Sequence, residues 1–406
     1  MWASAIPYSI CIIAVLYIMV SAYIRLKMKF WYTQPVFHIY NIWHWLRPAG
    51  VIFQDLPPMN KYVNIVEIKT INIAALEDIK CNQISCFIKN NYNQSKHIKY
   101  NPTKRDIFEY LQGTNHPSFF TIQEQPKILF EKGEAISSIP EIVSVISARV
   151  LYVAIKGMPS FPTYYVDNLC IHAGQRKKGI AAQMIQTHAY NLRQANARIK
   201  TCLFKREGDL TAIVPLTTYQ TTSFDLAGVR PAVVALHAAL TLIEIGLPQL
   251  NMAMDFIQAQ TGQFQCAVLP DITNLANIVK ANTIAIYGLV LKGGGGGGLQ
   301  TLYVFHNTRL YYGEKQAVEC VATIKAQNCD NALFVAGFYQ ALFKVQEKNR
   351  AVSILMLEDT AHSNILYKNL VESATPLPIL FQTPTAFFLY NYSCHTVAHS
   401  DCIFLY

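Results

Sequence analysis

The chain alternates between apolar stretches and polar breaks, and the period of that alternation changes along its length. Ile6 to Ile24 carries no charged side chain, and about twenty such residues are enough for one helix to cross a bilayer. Residues 30 to 60 are rich in aromatics and prolines without a sustained period, which predicts an extended arm lying over another surface. Helical spacing follows over Asn72 to Asn91 and over Thr103 to Gln112. Ile142 to Ile155 is β-branched and apolar, Tyr164 to Ile171 reads as a second strand, Gly179 to Asn196 has an apolar face at i, i+4, and Ile199 to Phe204 returns as strand. Residues 231 to 290 predict helices and then a strand, Thr283 to Leu291. The glycine run Gly293 to Gly298 predicts a flexible hairpin tip rather than a phosphate loop, because no Lys-Ser/Thr pair or helix start follows it. Strands at Leu299 to Asn307 and Ala317 to Ala326, a helix at Asn331 to Asn349 and a strand at Ala351 to Met356 repeat the strand-helix-strand order.

At 406 residues the chain exceeds the usual single-domain size. Its composition is 52% hydrophobic and 15% charged, and part of that apolar excess is the N-terminal run. Arg25, Lys27 and Lys29 follow the run directly while its N-terminal flank has no basic residue. The positive-inside rule then predicts a single-pass anchor through residues 6 to 24, N-terminus out, with the bulk of the chain on the cytosolic side. A secretory signal is the competing reading, but no basic region precedes the run and Ser21-Ala22 is the nearest approach to a cleavage site. The ten cysteines show neither C-x-x-C nor metal-ligand spacing, so free buried thiols in a reducing compartment and no metal are expected.

One segment carries chemistry. Tyr165-Val-Asp-Asn-Leu-Cys170-Ile171 reads as a strand, His172 to Lys178 as a basic turn, and Gly179-Ile180-Ala181 as a helix start. At such a start backbone N–H groups lack partners and the helix dipole adds positive potential, so with Arg176, Lys177 and Lys178 the turn can cradle a pyrophosphate. Arg176-Lys-Lys-Gly179-Ile-Ala181 also resembles the R-x-x-G-x-A pattern of the GNAT acyltransferases. The net charge of +9 suits an anionic CoA and an acidic lipid surface. Nucleic acid is not expected, since no basic stripe interleaved with aromatics occurs.

Two further segments narrow the resemblance. Phe30-Trp31-Tyr-Thr33-Gln34-Pro35-Val36 looks like the F-W-x-T-Q-P-V motif of the N-myristoyltransferases, and Phe388-Leu389-Tyr390-Asn391-Tyr392-Ser-Cys394 resembles that family's L-Y-N-W-x-C strand. Shorter matches lie between them in the family's order: Asn90-Asn91-Tyr92, Tyr100-Asn-Pro, Asn168 to His172, Gly228-Val-Arg230-Pro231 and Tyr303 to Asn307. The resemblance covers about residues 29 to 406 and implies an α+β fold: two fused GNAT-like halves with pseudo-two-fold symmetry, one large twisted mixed sheet flanked by helices, and an N-terminal transmembrane helix. The expected division is residues 1–28 anchor and basic flank, 29–225 acyl-CoA-binding half, and 226–406 peptide-binding half.

The resemblance also implies roles. Myristoyl-CoA would be the co-substrate and no other cofactor is needed; the acceptor would be the N-terminal glycine of a peptide or protein. Phe30, Trp31, Cys170, Ile171, Arg176, Lys177, Lys178, Gly179, Ile180 and Ala181 are the candidate CoA-binding residues. Backbone N–H groups of Asn168 and Leu169 are candidates for the oxyanion hole. The apolar end Cys402 to Tyr406 could bring the Tyr406 carboxylate into the core as the base, and Tyr92, Tyr219 and Asn391 are candidate substrate contacts.

Departures from the pattern support a second reading. The family's acidic run after Asn-Asn-Tyr becomes Asn93-Gln-Ser-Lys96-His97, its tyrosine-x-His-Arg becomes Tyr219-Gln-Thr-Thr222, and its Asn-Phe before Leu-Cys becomes Asp167-Asn168. A catalytically degenerate, membrane-anchored scaffold, of the kind a virion would use, is therefore the alternative to a transferase.

Overall fold

A computed structural model describes residues 2–95, 97–131, 134–209, 211–227, 236, 239–291, 298–373 and 375–406. Helix α1, Trp2–Lys27, contains the uncharged run, and its stretch Tyr8–Lys27 is long and apolar enough to cross a membrane, with 6% of it buried against the rest of the chain. The arm that follows folds into a 3-10 turn at Trp31–Thr33, a short helix α2, Ile42–Leu46, and strand β1, Gly50–Val51. It is held across the molecule by backbone bonds from Ile52 N–H to the Asn391 carbonyl (3.1 Å) and from Asn391 N–H to the Pro35 carbonyl (2.6 Å).

Next come β2, Ile68–Asn72, α3, Asp78–Asn91, β3, Ile98–Tyr100, and α4, Lys104–Phe108. The helical pattern begins at Asn72, yet α3 starts later because the Asn72 side chain caps a 3-10 turn at Ile73–Ala75. α4 is short; Thr103 and Asp106 form its reciprocal capping box. Long antiparallel strands follow, β4, Phe119–Glu131, β5, Glu134–Ile155, and β6, Phe161–Ile171, then α5, Ile180–Ala195, β7, Cys202–Glu207, and β8, Thr217–Asp225. The Gly228 to Pro231 match lies outside the described residues.

The second part comprises β9, Leu240–Glu244, α6, Leu250–Gln260, β10, Cys266–Leu269, α7, Ile272–Lys280, and the hairpin of β11, Ile284–Leu291, with β12, Leu299–His306. Two strands, β9 and β10, thus interrupt a region that reads as helical. The expected hairpin tip, Gly293 to Gly298, lies outside the described residues apart from Gly298. β13, Leu310–Tyr312, β14, Lys315–Lys325, α8, Asn331–Lys348, β15, Val352–Glu358, α9, Ser363–Glu372, β16, Ile379–Tyr390, β17, Tyr392–Ser393, and β18, Cys402–Phe404, complete the chain.

Among the described residues all strands except β1 and β17 join one mixed sheet of sixteen strands, whose main path runs β18-β10-β5-β6-β7-β16-β8-β15-β14-β12-β11-β9. The unit β6-α5-β7 makes a parallel pair, and β14-α8-β15 makes another. The strand that follows each unit crosses to the other: β8 pairs with β15, and β16 inserts between β7 and β8. The architecture is mixed α+β, with helices on both faces of the sheet.

Side chains alternate between those faces. Leu302 and Val304 of β12 join a core packed on α3, α4, α6 and α7, whereas Tyr303 and Phe305 join the core under α8 and α9. Gly337 of α8 allows the second contact, since a Cβ there would lie 2.6 Å from both Leu289 Cδ1 and the Tyr303 hydroxyl. That hydroxyl is fixed by a 2.6 Å bond to the Phe334 carbonyl. Gly337→Ala should therefore destabilise the fold by about 1–3 kcal/mol through overpacking, despite a helix-propensity gain of about 1 kcal/mol; urea unfolding would measure it, and unchanged stability would show that α8 can shift outward freely.

Candidate functional site

Strands β6 and β7 run parallel but pair only at Tyr164↔Cys202 and Tyr165↔Leu203. Beyond that point Val166 to Ile171 has no partner on β7, so the two strands part and open a wedge. On the other side of β6 the register with β5 slips between Val145 and Ser147, leaving Asn168 and Leu169 without Cα partners. Asn168 takes a left-handed conformation, φ 55°, as expected of an asparagine at a bulge. The bulge turns local backbone away from the ladder at the mouth of the wedge.

Its hydrogen bonds are already partly taken. Asn168 N–H donates to Asp167 Oδ1 at 2.7 Å, and Asn168 Nδ2 donates to Ser147 Oγ at 3.0 Å. Tyr110 donates to the other Asp167 oxygen at 3.4 Å. Behind Tyr110 lies Arg149, wholly buried, with its guanidinium carbon 4.1 Å from the Tyr110 ring centre and 5.9 Å from that of Tyr165. One Arg149 nitrogen bonds Asn274.

The basic turn closes the wedge at its far end. His172 Nδ1 accepts from Gly174 N–H at 3.2 Å, and Arg176 straps the turn down by donating to the Ile171 carbonyl (3.2 Å) and to the Asn91 carbonyl at the end of α3 (2.6 Å). Lys177 (φ 65°) and Gly179 (φ 83°) are both left-handed, and Gly179 enters α5 with no side chain capping its N-terminus. Lys177, Lys178 and Gly179 are exposed, Ala181 is half-buried, and Ile180 and Cys170 sit in the core. Burial pushes the Cys170 thiol up to about 12, so it remains a neutral packing group.

Phe30 and Trp31 flank the wedge on the opposite face. Trp31 stacks on Phe204 of β7 at 5.7 Å, Phe204 stacks on Phe388 of β16 at 5.3 Å, and Phe30 meets Trp31 and Tyr62 edge-on. The two terminal motifs are thus joined through one aromatic column. Tyr390 reinforces it by donating to Gln34 Oε1 at 2.8 Å.

Comparisons with known proteins bear on this arrangement. Neither a protein-family model nor a curated protein sequence matches the chain. Solved structures do. A Saccharomyces cerevisiae N-myristoyltransferase with bound myristoyl-CoA superposes with a TM-score of 0.65 at 15% identity, covering 92% of this chain and 94% of that one. Two further structures of the yeast enzyme, with myristoyl-CoA and with myristoyl-CoA and inhibitors, give TM-scores of 0.66 and 0.65 at 14% identity, each covering 94% of this chain and 95% and 94% of theirs. The chain has the N-myristoyltransferase fold.

Within this N-myristoyltransferase fold the C-terminal segment is packed inward. β18 lies parallel to β10, Leu405 N–H bonds the Val268 carbonyl at 2.9 Å, and Tyr406 is buried beside Tyr165 and Phe387. The Tyr406 hydroxyl donates to Glu358 Oε1 (2.9 Å) and accepts from Lys205 Nζ (2.9 Å); Tyr219 donates to the same Glu358 oxygen at 3.0 Å. Lys205 also lies 2.5 Å from Glu358, 3.0 Å from Glu319 and 3.4 Å from Glu207, and His306 meets Glu319 at 3.3 Å.

Burial strongly shapes this cluster's titration. Desolvation pushes Glu358 up to about 7, against the pull of Lys205. Burial also opposes ionisation of Glu319, but Lys205 and then His306 outweigh it and hold that carboxyl below its usual range. Lys205 loses solvation yet is raised by Glu319 and Glu358, and burial raises both Tyr219 and Tyr406.

Tyr92, Tyr219 and Tyr406 therefore share one face of the sheet with Asp167 and Lys205; the Tyr92 hydroxyl is raised by burial and then by Asp167. Asn391 is elsewhere, its amide bonding the Phe53 and Lys200 carbonyls as a staple. Sequence reasoning missed Lys205, Glu319, Glu358 and Arg149. Glu319 and Arg149 are charged residues inside largely apolar stretches of β14 and β5, and that mismatch was the available signal; Lys205, beside Arg206 and Glu207, and Glu358, at the end of β15, carry no such signal.

A carboxyl whose folded pKa lies above its unfolded value destabilises the fold as pH rises, because the unfolded group ionises near 4.5 while the buried one keeps its proton to about 7. Glu319 acts oppositely, and its stabilisation is lost only as pH falls below the unfolded carboxylate range. Glu358→Gln cannot ionise, so its stability relative to the native protein should rise by up to ~3 kcal/mol between about pH 4.5 and 7. Urea unfolding at several pH values reads this; parallel curves would show that Glu358 titrates normally.

Proposed function

We propose that this is a membrane-anchored acyl-CoA-binding protein, with myristoyl-CoA as its lipid donor and the amine of an N-terminal glycine as acceptor. The observation that carries the reading is the parted β6–β7 wedge leading to the uncapped start of α5, where Lys177 and Lys178 stand exposed. Peptide N–H groups, helix dipole and lysine charge converge there on a CoA phosphate. Phe30 and Trp31 wall the opening on the other side. An anchor through α1, N-terminus out, would hold the wedge on the cytosolic face.

In the transfer reaction the amine attacks the thioester carbonyl, the C–N bond forms, the C–S bond breaks and CoA leaves as thiolate. The amine's proton passes to the Tyr406 end of the chamber. Glu358 suits that role: its pKa is raised to about 7, and its second oxygen has no hydrogen-bond partner among the described residues. Residues 29–225 would supply the CoA site, with residues 226–406 closing the acceptor side.

One observation favours a second reading, a binder that no longer transfers. The Asn168 N–H that would hold the oxyanion is bonded to the Asp167 carboxylate, which both occupies the donor and repels negative charge.

Two experiments follow. Lys177→Gln and Lys178→Gln should each weaken myristoyl-CoA binding by about fivefold at low salt, roughly 1 kcal/mol apiece, and less at high salt; salt-independent, unchanged affinity would remove the cradle. Incubating the protein with labelled myristoyl-CoA and N-terminal-glycine peptides separates the two readings. Label transferred by the native protein establishes a transferase. Transfer gained only in Asp167→Ala assigns the block to that carboxylate, and binding without transfer in both leaves a lipid-CoA binder.

A further inference from the structure

The segment just after α1 exposes an unusual amount of apolar surface for a part of the chain that is otherwise rigidly held. Ile39 is 45% exposed, Ile42 55%, Trp43 79%, Leu46 68% and Phe53 50%. A loose segment could turn such side chains inward, but this one is fixed. Asn41 caps α2 by accepting from His44 N–H. Trp45 donates to the Ile39 carbonyl at 2.9 Å and packs on Phe37, and His395 bonds the Trp45 carbonyl at 2.9 Å.

Its position relative to α1 is also defined. The Arg25 guanidinium lies 5.1 Å from the Tyr32 ring centre, Tyr32 stacks on Tyr40 at 6.2 Å, and Tyr40 is within electrostatic reach of both Arg25 and Tyr17. Ile24 is buried at this contact while Tyr8 to Val20 stays exposed. The arm therefore lies alongside the C-terminal part of α1 rather than beyond its end.

Charge completes the picture. Residues 1 to 54 contain no Asp or Glu, whereas Arg25, Lys27 and Lys29 precede the apolar segment in the sequence and Arg47 follows Leu46 directly. Tryptophan with flanking lysine and arginine is the composition favoured at the boundary between acyl chains and headgroups, and each basic residue near an anionic surface adds to the attraction.

We propose that Ile39, Ile42, Trp43 and Leu46 form a second membrane contact, seated in the interface of the same anionic bilayer that α1 crosses. The inference rests on the anchor reading of α1 and extends it: the domain is held against the lipid in one fixed orientation instead of swinging on a tether. Because Trp31 lies on the same arm and stacks on Phe204 at the wedge, that orientation also sets where the wedge stands above the bilayer.

The test uses the full chain in nanodiscs of phosphatidylcholine and phosphatidylserine carrying dibrominated acyl chains, which quench indole fluorescence on contact. Of the four tryptophans, a variant with Trp2→Phe, Trp31→Phe and Trp45→Phe keeps Trp43 alone, and a sister variant keeps Trp31 alone. Tyr17→Trp in a chain with all four replaced reports insertion of α1. Strong quenching of Trp43 with little quenching of Trp31 is expected. Quenching at position 17 but not at Trp43 would overturn the second contact while leaving the anchor intact. Quenching at neither would overturn both, and circular dichroism of each variant confirms that the fold persists.

Discussion

Lys205 is the charge around which the sheet is assembled. It sits on β7, and its ammonium is met by Glu319 of β14, Glu358 of β15 and the hydroxyl of Tyr406, with Tyr219 of β8 bonded to the same glutamate. Separate stretches of chain thus meet at one largely buried cation, its side chain 12% exposed. Burying such a group costs several kcal/mol unless its partners are complete, so the alternatives to this register are strongly penalised. A wholly apolar centre could be more stable, but it would tolerate strand slippage that this one does not.

That constraint reaches the chemistry. By fixing Tyr406 and β7 together, the cluster determines where β7 leaves β6, and hence where the wedge opens. Two charged side chains, Asp167 and Arg149, then act on the same space. Asp167 brings a carboxylate onto the Asn168 amide, and Arg149 brings a buried guanidinium behind Tyr110, which bonds Asp167. The two charges balance through a tyrosine.

Local features were legible in the sequence, whereas long-range pairings were not. β6, the basic turn and α5 follow one another within a few residues, so their period and charge identify them directly. The apolar run of α1 and the inward-facing end at Cys402 to Tyr406 were readable for the same reason. Glu358 and Lys205 are far apart in the chain, and nothing local links them. The Asp167 contact depends on the left-handed turn at Asn168, and the short strands β9 and β10 were masked by neighbouring helical patterns. Asn391 matched a motif, and the long-range bonds of its side chain to the Phe53 and Lys200 carbonyls had no local sign in the sequence.

The crossing of β8 and β16 has a consequence for how the molecule is made. β16, Ile379–Tyr390, lies between β7 and β8, so the sheet of the first part is missing an inner strand until nearly the whole polypeptide has left the ribosome. The early strands, the last of which ends at Asp225, must wait with open backbone edges for a segment that begins only at Ile379. Once β16 arrives, both open edges become inner pairs at one stroke, β7 with β16 and β16 with β8.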